Sequence, residues 1–236
     1  GGIFSTSSHL TINDVTVTEG SGIYCRNSII KNSVIEGNDY GIVCVGNNTI
    51  ENTLITGNMI GINCGDYNWS DTVRMTNVLI TWNGTAIESE YAIVYLTNVT
   101  ASCNLGLEQD GSVIRCCGSN IELNNCIFYG NTDPVIYLNV DVYYGYANTI
   151  TISYSDIQGG EDGILKGDND VVNWLEGNMH ESPLFISWYG DCQLSAGSPC
   201  IDAGTPDTTG LKLPFYDLTG NYRMWDGDLD GDTIVD

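Results

Sequence analysis

The amino-acid sequence predicts an all-β protein whose short strands stack rung upon rung into a parallel solenoid of about seven or more coils. Three observations predict it. A heptad bounded by polar residues recurs as NSVIEGN at 32–38, NTLITGN at 52–58 and NVLITWN at 77–83. An apolar residue stands two positions before each heptad, and a second short run (GIYC, GIVC, GINC, AIES, GLEQ) follows it.

Aligned on the leading residue, the heptads begin at Asp14, Asn32, Asn52, Asn77, Asn98, Asn125 and, degenerately, Tyr154. The spacings of 18, 20, 25, 21, 27 and 29 residues describe a turn of about twenty residues that takes lateral loop insertions along the chain. Six positions after the leaders come Asn38, Asn58, Asn83, Asn104 and Asn131, and two before them Ile12, Ile30, Ile50, Met75, Leu96, Leu123 and Ile152. The apolar segments are short and β-branched, separated by Asn and Gly, and none keeps helical periodicity beyond a turn. A β unit this short cannot bury its own apolar face, so successive units must stack at about 4.8 Å per rung. Like residues then lie over like, with Ile35, Ile55 and Ile80 in one aliphatic column. Asn at each bend tolerates left-handed backbone and can pass a side-chain hydrogen bond to the next rung. An immunoglobulin-type sandwich fits less well, because it needs strands of similar length joined by hairpins.

Composition narrows the function classes. Seven Lys and Arg stand against 30 Asp and Glu, a formal charge of -23, which repels a nucleic-acid backbone unless metal ions mediate the contact. Such acidity with so few basic residues suits an extracellular or cell-surface protein that meets divalent cations. Apolar runs are only a few residues long, so neither a signal peptide nor a membrane span is expected, and an exported protein would be present here in mature or trimmed form. Of nine cysteines, Cys25, Cys44 and Cys64 fall inside the GI-x-C repeat and are expected to stack as buried thiols. Cys192 and Cys200, flanking a short Gly- and Pro-containing segment, are the best disulfide candidates, and Cys116–Cys117 leaves the redox state open. No CxxC supports a zinc site. Asn47, Asn68, Asn83 and Asn98 begin N-x-S/T tripeptides, about as many as chance supplies.

The heptads and GI-x-C segments, covering residues 1–165, resemble the right-handed parallel β-helix repeat family. Residues 166–236 form an irregular C-terminal segment expected to pack on the coils. Its SPLF at 182–185, SPCIDAG at 198–204, DLTGNYR at 217–223 and DGDLDGDTIVD at 226–236 resemble the tail of secreted bacterial or archaeal choice-of-anchor Q domain proteins. In that family the motif runs on to a short strand, which this sequence, stopping at Asp236, lacks. The fold hosts many functions, so the resemblance implies little about activity.

Two acidic constellations carry the candidate chemistry. Asp226, Asp228, Asp230, Asp232 and Asp236 alternate with small residues in the way a calcium loop requires, and a structural calcium ion is expected there. Stacking AIESE at 86–90 on GLEQD at 106–110 would place Glu88 over Glu108 and Glu90 over Asp110. Carboxylates so close must be screened, protonated or bridged by a cation, and a pair about 5 Å apart could serve a retaining glycosidase. The β-helix lyases use calcium with an arginine or lysine base, for which Arg115 is the candidate; charge pairing is its plainer role. The polygalacturonase segments do not occur as a set, since His9 and His180 lie in SHL and MHE. Tyr143, Tyr144 and Tyr146 in an insertion, with Trp69 and Trp82, could stack on sugars or simply fold back over their own coil.

These features favour a non-catalytic structural or adhesive module, outside the cell or on its surface, calcium-stabilised at its tail. A solenoid end exposes unpaired strands, and GGIFSTSS already resembles a coil segment, so self-association end to end into a fibre, or excision from a longer solenoid, is expected. The alternatives are a polysaccharide hydrolase or lyase acting through Glu88, Glu90, Glu108 and Asp110, and a module that binds extracellular polysaccharide through the tyrosine loop.

Overall fold

The computed structural model describes residues 1–6, 9–65, 71–106, 113–132, 134–139, 144–187, 192–209, 211 and 213–222. They form a parallel β-solenoid of about seven turns with three faces. The first face stacks Gly2–Phe4, Gly22–Arg26, Tyr40–Val45, Ile60–Cys64, Thr85–Glu90, Ile114–Cys117 and Ile136–Asn139. The second stacks Thr11–Asn13, Ile29–Lys31, the leading halves of Asn47–Thr56, Thr72–Thr81 and Ile93–Ser102, then Asn120–Asn124, Thr149–Ser153 and Val171–Trp174. The third stacks Thr16–Thr18, Val34–Glu36, the trailing halves of the same three long strands, Ile127–Tyr129 and Asp156–Ile157. Every named strand pair is parallel. Val171–Trp174 pairs with Thr149–Ile152, so stacked rungs extend beyond residue 165.

The heptad leaders form the corner between the second and third faces. Asp14, Asn32, Asn52, Asn77, Asn98, Asn125 and Tyr154 all adopt positive φ, between 47° and 57°. In the three long strands, pairing continues on either side of this residue, so the chain turns without a loop. Left-handed backbone is tolerated by Asn and Asp but strains a bulky residue by about 1–2 kcal/mol. Tyr154 occupies it where Gly177 removes the obstruction: a Cβ on Gly177 would lie 2.2 Å from the tyrosine ring.

The trailing asparagines build the opposite corner, between the third and first faces. Asn38, Asn58, Asn83 and Asn104 each donate from Nδ2 to the Oδ1 of the next asparagine at 2.9–3.0 Å, ending on Asn131. The same Oδ1 atoms accept the backbone N–H of the preceding asparagine at 2.9–3.0 Å. Burial makes these bonds matter, because an unpaired amide there would lose water without replacement. The glycine of GI-x-C permits this corner: a Cβ on Gly41 would meet the Gly61 carbonyl oxygen at 2.4 Å and the Asn58 amide at 3.1 Å. Asn83 uses its Nδ2 for three such bonds, which leaves that N-x-S/T site no amide for a glycan in the folded chain.

The core is a set of in-register columns. Ile12, Ile30, Ile50, Met75, Leu96, Leu123, Ile152 and Trp174 run up the second face. Val17, Ile35, Ile55, Ile80, Ala101, Phe128 and Ile157 run up the third, the large Phe128 following the small Ala101. On the first face Ile23, Ile42, Ile62, Ile87, Ile114 and Ile136 stack fully buried. Beside them Cys25, Cys44, Cys64, Ser89, Cys116 and Leu138 fill a second column. Each buried isoleucine contributes roughly 1.5–3 kcal/mol of burial free energy. The repeat thiols are reduced and inaccessible, as their spacing predicts. The neighbouring Cys44 thiol and burial raise the Cys25 pKa, and burial foremost raises that of Cys116.

The C-terminal segment straps the outer side of the third face. Phe185 and Cys192 pack with Leu79, and Leu54, Ile127 and Leu194 surround them. The Thr205 N–H donates to Asn125 Oδ1 at 2.8 Å, and Asn77 Nδ2 donates to the Tyr216 carbonyl at 3.3 Å. Cys192 and Cys200 are not bridged. Their closeness in sequence suggested a disulfide, but the strap turns them to different surfaces: Cys192 joins the Leu79 cluster, while the Cys200 thiol donates to Asp156 Oδ2 at 3.3 Å.

Candidate functional site

Side chains that alternate outward from the first face form a column along the molecule. It reads Phe4, Tyr24, Val43, Asn63, Glu88, Arg115, Tyr137, one residue per rung. The Phe4 and Tyr24 rings stack at 4.7 Å. In mid-column the Asn63 amide donates to Glu88 Oε2 at 3.1 Å, and Arg115 stands on the following rung. All three are half-buried. Opposite charges directly across neighbouring strands contribute roughly 0.2–1 kcal/mol.

This register corrects the expected carboxylate stack. Thr85–Glu90 pairs with Ile114–Cys117, so Glu88 lies across from Arg115 and Glu90 across from Cys117, not from Glu108 and Asp110. The cause is an insertion: the segment equivalent to GI-x-C on this rung is Val113-Ile114-Arg115-Cys116, and on the next Val135-Ile136-Tyr137-Leu138. Valine in the glycine position hid both. The pattern V-I-x-[C/L] was the signal that would have found them, and with them the placement of Arg115. Glu108 and Asp110 lie outside the described residues. Glu88 and exposed Glu90 share the outward side of one strand, two residues apart, about 6.6 Å between Cα atoms at ordinary strand rise.

The tyrosine insertion packs against its own coil. Tyr91, nearly buried, meets the Tyr144 and Tyr146 rings edge-on at 6.0 and 6.4 Å. Tyr144 and Tyr146 keep much of their surface exposed, as does Trp82, whereas Tyr143 and Trp69 lie outside the described residues. On the second face, the Arg74 guanidinium sits 4.1 Å from the centre of the Tyr95 ring.

Where the strap meets the last rungs, Asp156 is 3% exposed with Oδ2 bound by Cys200 and Oδ1 unpaired. Burial pushes its carboxyl up to about 6, with the Cys200 hydrogen bond opposing. Burial and the facing carboxylate push the Cys200 thiol up to about 12, so it serves as a hydrogen-bond donor rather than a nucleophile. DLTGN is a self-contained turn in which Asp217 accepts from the Thr219 and Asn221 N–H groups at 2.8 Å.

Among the described residues, no group of three or more His, Cys, Asp or Glu side chains could hold a metal ion. The expected calcium ligands Asp226, Asp228, Asp230, Asp232 and Asp236 lie outside those residues. No helix among the described residues is long and apolar enough to cross a membrane.

No family model matches the chain, and no curated protein does. One similar solved structure is that of full-length QnrB1, a plasmid-mediated fluoroquinolone resistance protein, at 13% identity over 70% of this chain and 94% of that one. Its TM-score is 0.17, too low to carry an argument, so the fold class rests on the strand ladders themselves.

Proposed function

We propose that the protein is a non-catalytic structural or adhesive β-solenoid module that works outside the cell or at its surface. The observation that carries this reading is the buried asparagine ladder, which runs from Asn38 to Asn131 beside continuous apolar columns. Such a core supports a stiff rod, because bending it would strain each of these bonds in turn. The acidic composition and the secreted-protein resemblance of the C-terminal motifs support an extracellular setting. In this reading Asp226, Asp228, Asp230, Asp232 and Asp236 bind a structural calcium ion, and end-to-end association extends the rod.

Turnover is the direct test. The purified chain is incubated with acidic and neutral polysaccharides, and new chain ends are measured for the wild type and for Glu88→Gln. The scaffold reading expects no depolymerisation by either; turnover that Glu88→Gln abolishes would overturn it. For assembly, filaments are expected by electron microscopy at high protein concentration, and monodisperse particles would remove that part.

One observation favours a second reading, a polysaccharide hydrolase or lyase. Glu88, Glu90 and Arg115 share one outward face, where an acid and a cationic group would both reach a chain lying along the rungs. The same turnover measurement decides between the two.

A further inference from the structure

The last rung of the stack is built from one short piece on each face. Leu165 pairs with Tyr137 on the first, Val171–Trp174 with Thr149–Ile152 on the second and Met179 with Asp156 on the third. The N–H groups of Val171 and Leu175 point back into the stack, donating to the Asn148 and Ile152 carbonyls at 2.9 Å. In a parallel strand alternate residues turn both backbone groups to the same side, so those of Val172 and Trp174 point off the end of the rod. Among the described residues no strand meets them, and Val171–Trp174 is the edge of its sheet. Apolar surface surrounds this open edge: Val171 is 46% exposed, Leu175 50% and Leu165 49%, while Val172 and Trp174 are partly buried against the end of the core.

We propose that this edge is a self-association surface, on which a second copy of the chain adds its own Val171–Trp174 antiparallel across a two-fold axis through Asn173. The stretch VVNWL at 171–175 has the same polarity read in either direction, apolar pairs flanking a central amide, and a two-fold contact needs such self-complementarity. Centred on Asn173, the pairing sets Val172 opposite Trp174 of the second copy, and these outward-pointing residues exchange both N–H···O bonds on either side of the axis. Asn173 meets its own copy as a non-hydrogen-bonded pair, and exposed Val171 meets exposed Leu175. Because the axis is normal to the second face, core-facing side chains stay on the core side, and Leu165 of the first face is carried toward Met179 on the second copy's third face. A head-to-tail joint fits this edge less well. Continuing the parallel columns would lay Thr11 on Asn173 and Asn13 on Leu175, leaving apolar surface against a polar group. Charge opposes the pair, since residues 161–176 carry five carboxylates and one lysine, so association should strengthen with salt. The joint specifies the end-to-end association proposed above and rests on that part of the reading.

The test uses the full chain. Sedimentation equilibrium at about 0.5 M salt, where screening shortens the reach of the carboxylates to a few ångströms, should show a monomer–dimer equilibrium below about 1 mM protein, with less dimer at about 0.02 M salt. Val172→Pro removes a donor that the chain's own ladder does not use, and should weaken the dimer about tenfold or more with the melting temperature little changed. Under mild oxidation Asn173→Cys alone should give a covalent dimer whose disulfide, located by peptide mass spectrometry, joins the two substituted positions, because a non-hydrogen-bonded antiparallel pair sets its Cα atoms about 4.5 Å apart. Asn120→Cys, exposed in mid-rod on the same face, should not. A monomer at every concentration overturns the proposal, as does a dimer that Val172→Pro leaves intact. So does cross-linking that requires Asn173→Cys together with Thr11→Cys, which marks a head-to-tail joint and leaves fibre growth standing. A dimer that never grows into filaments supports this joint while removing the fibre, so the two can fail separately.

Discussion

Asn83→Ala is the sharpest perturbation of the corner that holds the rungs together. Asn83 is fully buried. Its Nδ2 donates to the Ile55 and Thr81 carbonyls at 3.1 Å and to Asn104 Oδ1 at 3.0 Å, while its Oδ1 accepts from the Asn58 N–H at 3.0 Å and from Asn58 Nδ2 at 2.9 Å. The two Nδ2 hydrogens, shared over three acceptors, and the two bonds accepted at Oδ1 count as four at roughly 0.5–1 kcal/mol each, about 2–4, and leaving the Asn58 N–H buried and unpaired adds about 1, for a loss of about 3–5 kcal/mol. For a chain of this size that lowers Tm by about 6–20 °C. The control is Asn32→Gly in the exposed corner, which drops a solvated amide but eases a backbone held at φ 51°, and should cost less than about 1 kcal/mol. Thermal and urea unfolding followed by circular dichroism reads both. If Asn83→Ala does not fold, Asn38→Ala tests the same quantity with fewer bonds, since its side chain reaches Val17, Glu36, Asn58 and the Gly20 N–H. A loss at the buried site no larger than that of Asn32→Gly would refute the argument that the ladder stabilises the stack.

Asp156 gives a pH dependence with a fixed sign. Its folded pKa, about 6, lies above the ordinary 3.8, so its contribution is full below about pH 4 and is lost as pH rises through about 6. Asp156→Asn should therefore gain roughly 1–2 kcal/mol over the wild type at pH 8, after allowance for solvent screening, and nothing at pH 4; equal differences at both would refute it. All nine thiols should titrate after unfolding without reductant, while Cys25, Cys44, Cys64, Cys116 and Cys126 stay unreactive in the native protein; fewer than nine would show a disulfide. Calcium at about a hundred times its Kd should stabilise the chain by about 2.7 kcal/mol, and Asp228→Ala should abolish the gain; an unshifted Tm removes the calcium loop.

The repeat was legible because a parallel stack imposes one environment on one position in every rung. All seven heptad leaders fell on positive φ, and the residues two before them form a single buried column. The rungs after Glu90 were harder to read, because Val113 and Val135 stand where the earlier rungs carry glycine or, in Ala86, alanine, and an insertion precedes the first of them. Aligning GLEQ by spacing alone then put Glu108 where the structure has Arg115. The disulfide expected between Cys192 and Cys200 failed for another reason. Nearness in sequence says little in an irregular strap whose path is set by the surface beneath it, here Leu79 for one thiol and Asp156 for the other. The burial of Asp156 was invisible for the same cause, since its cover arrives from 44 residues further along the chain.

The contrast between inner and outer columns says where the chemistry of this fold can reside. Inside, a substitution on one rung must fit the rungs above and below it, which is why isoleucine follows isoleucine up the first face and Phe128 compensates Ala101 on the third. Outside, no such matching is required, and the first-face column passes from Phe4 and Tyr24 through Asn63 and Glu88 to Arg115 without repeating a residue. The buried Asn98 is the exception inside: it holds a bend position that the ladder logic would fill, yet neither of its buried amide atoms finds a hydrogen-bond partner. In a stack otherwise governed by repetition, a polar group that repeats in sequence but not in bonding costs about 1–3 kcal/mol, and Asn98→Gly, which removes the amide while keeping the left-handed bend, should melt level with or above the wild type; a lower melting temperature would refute this.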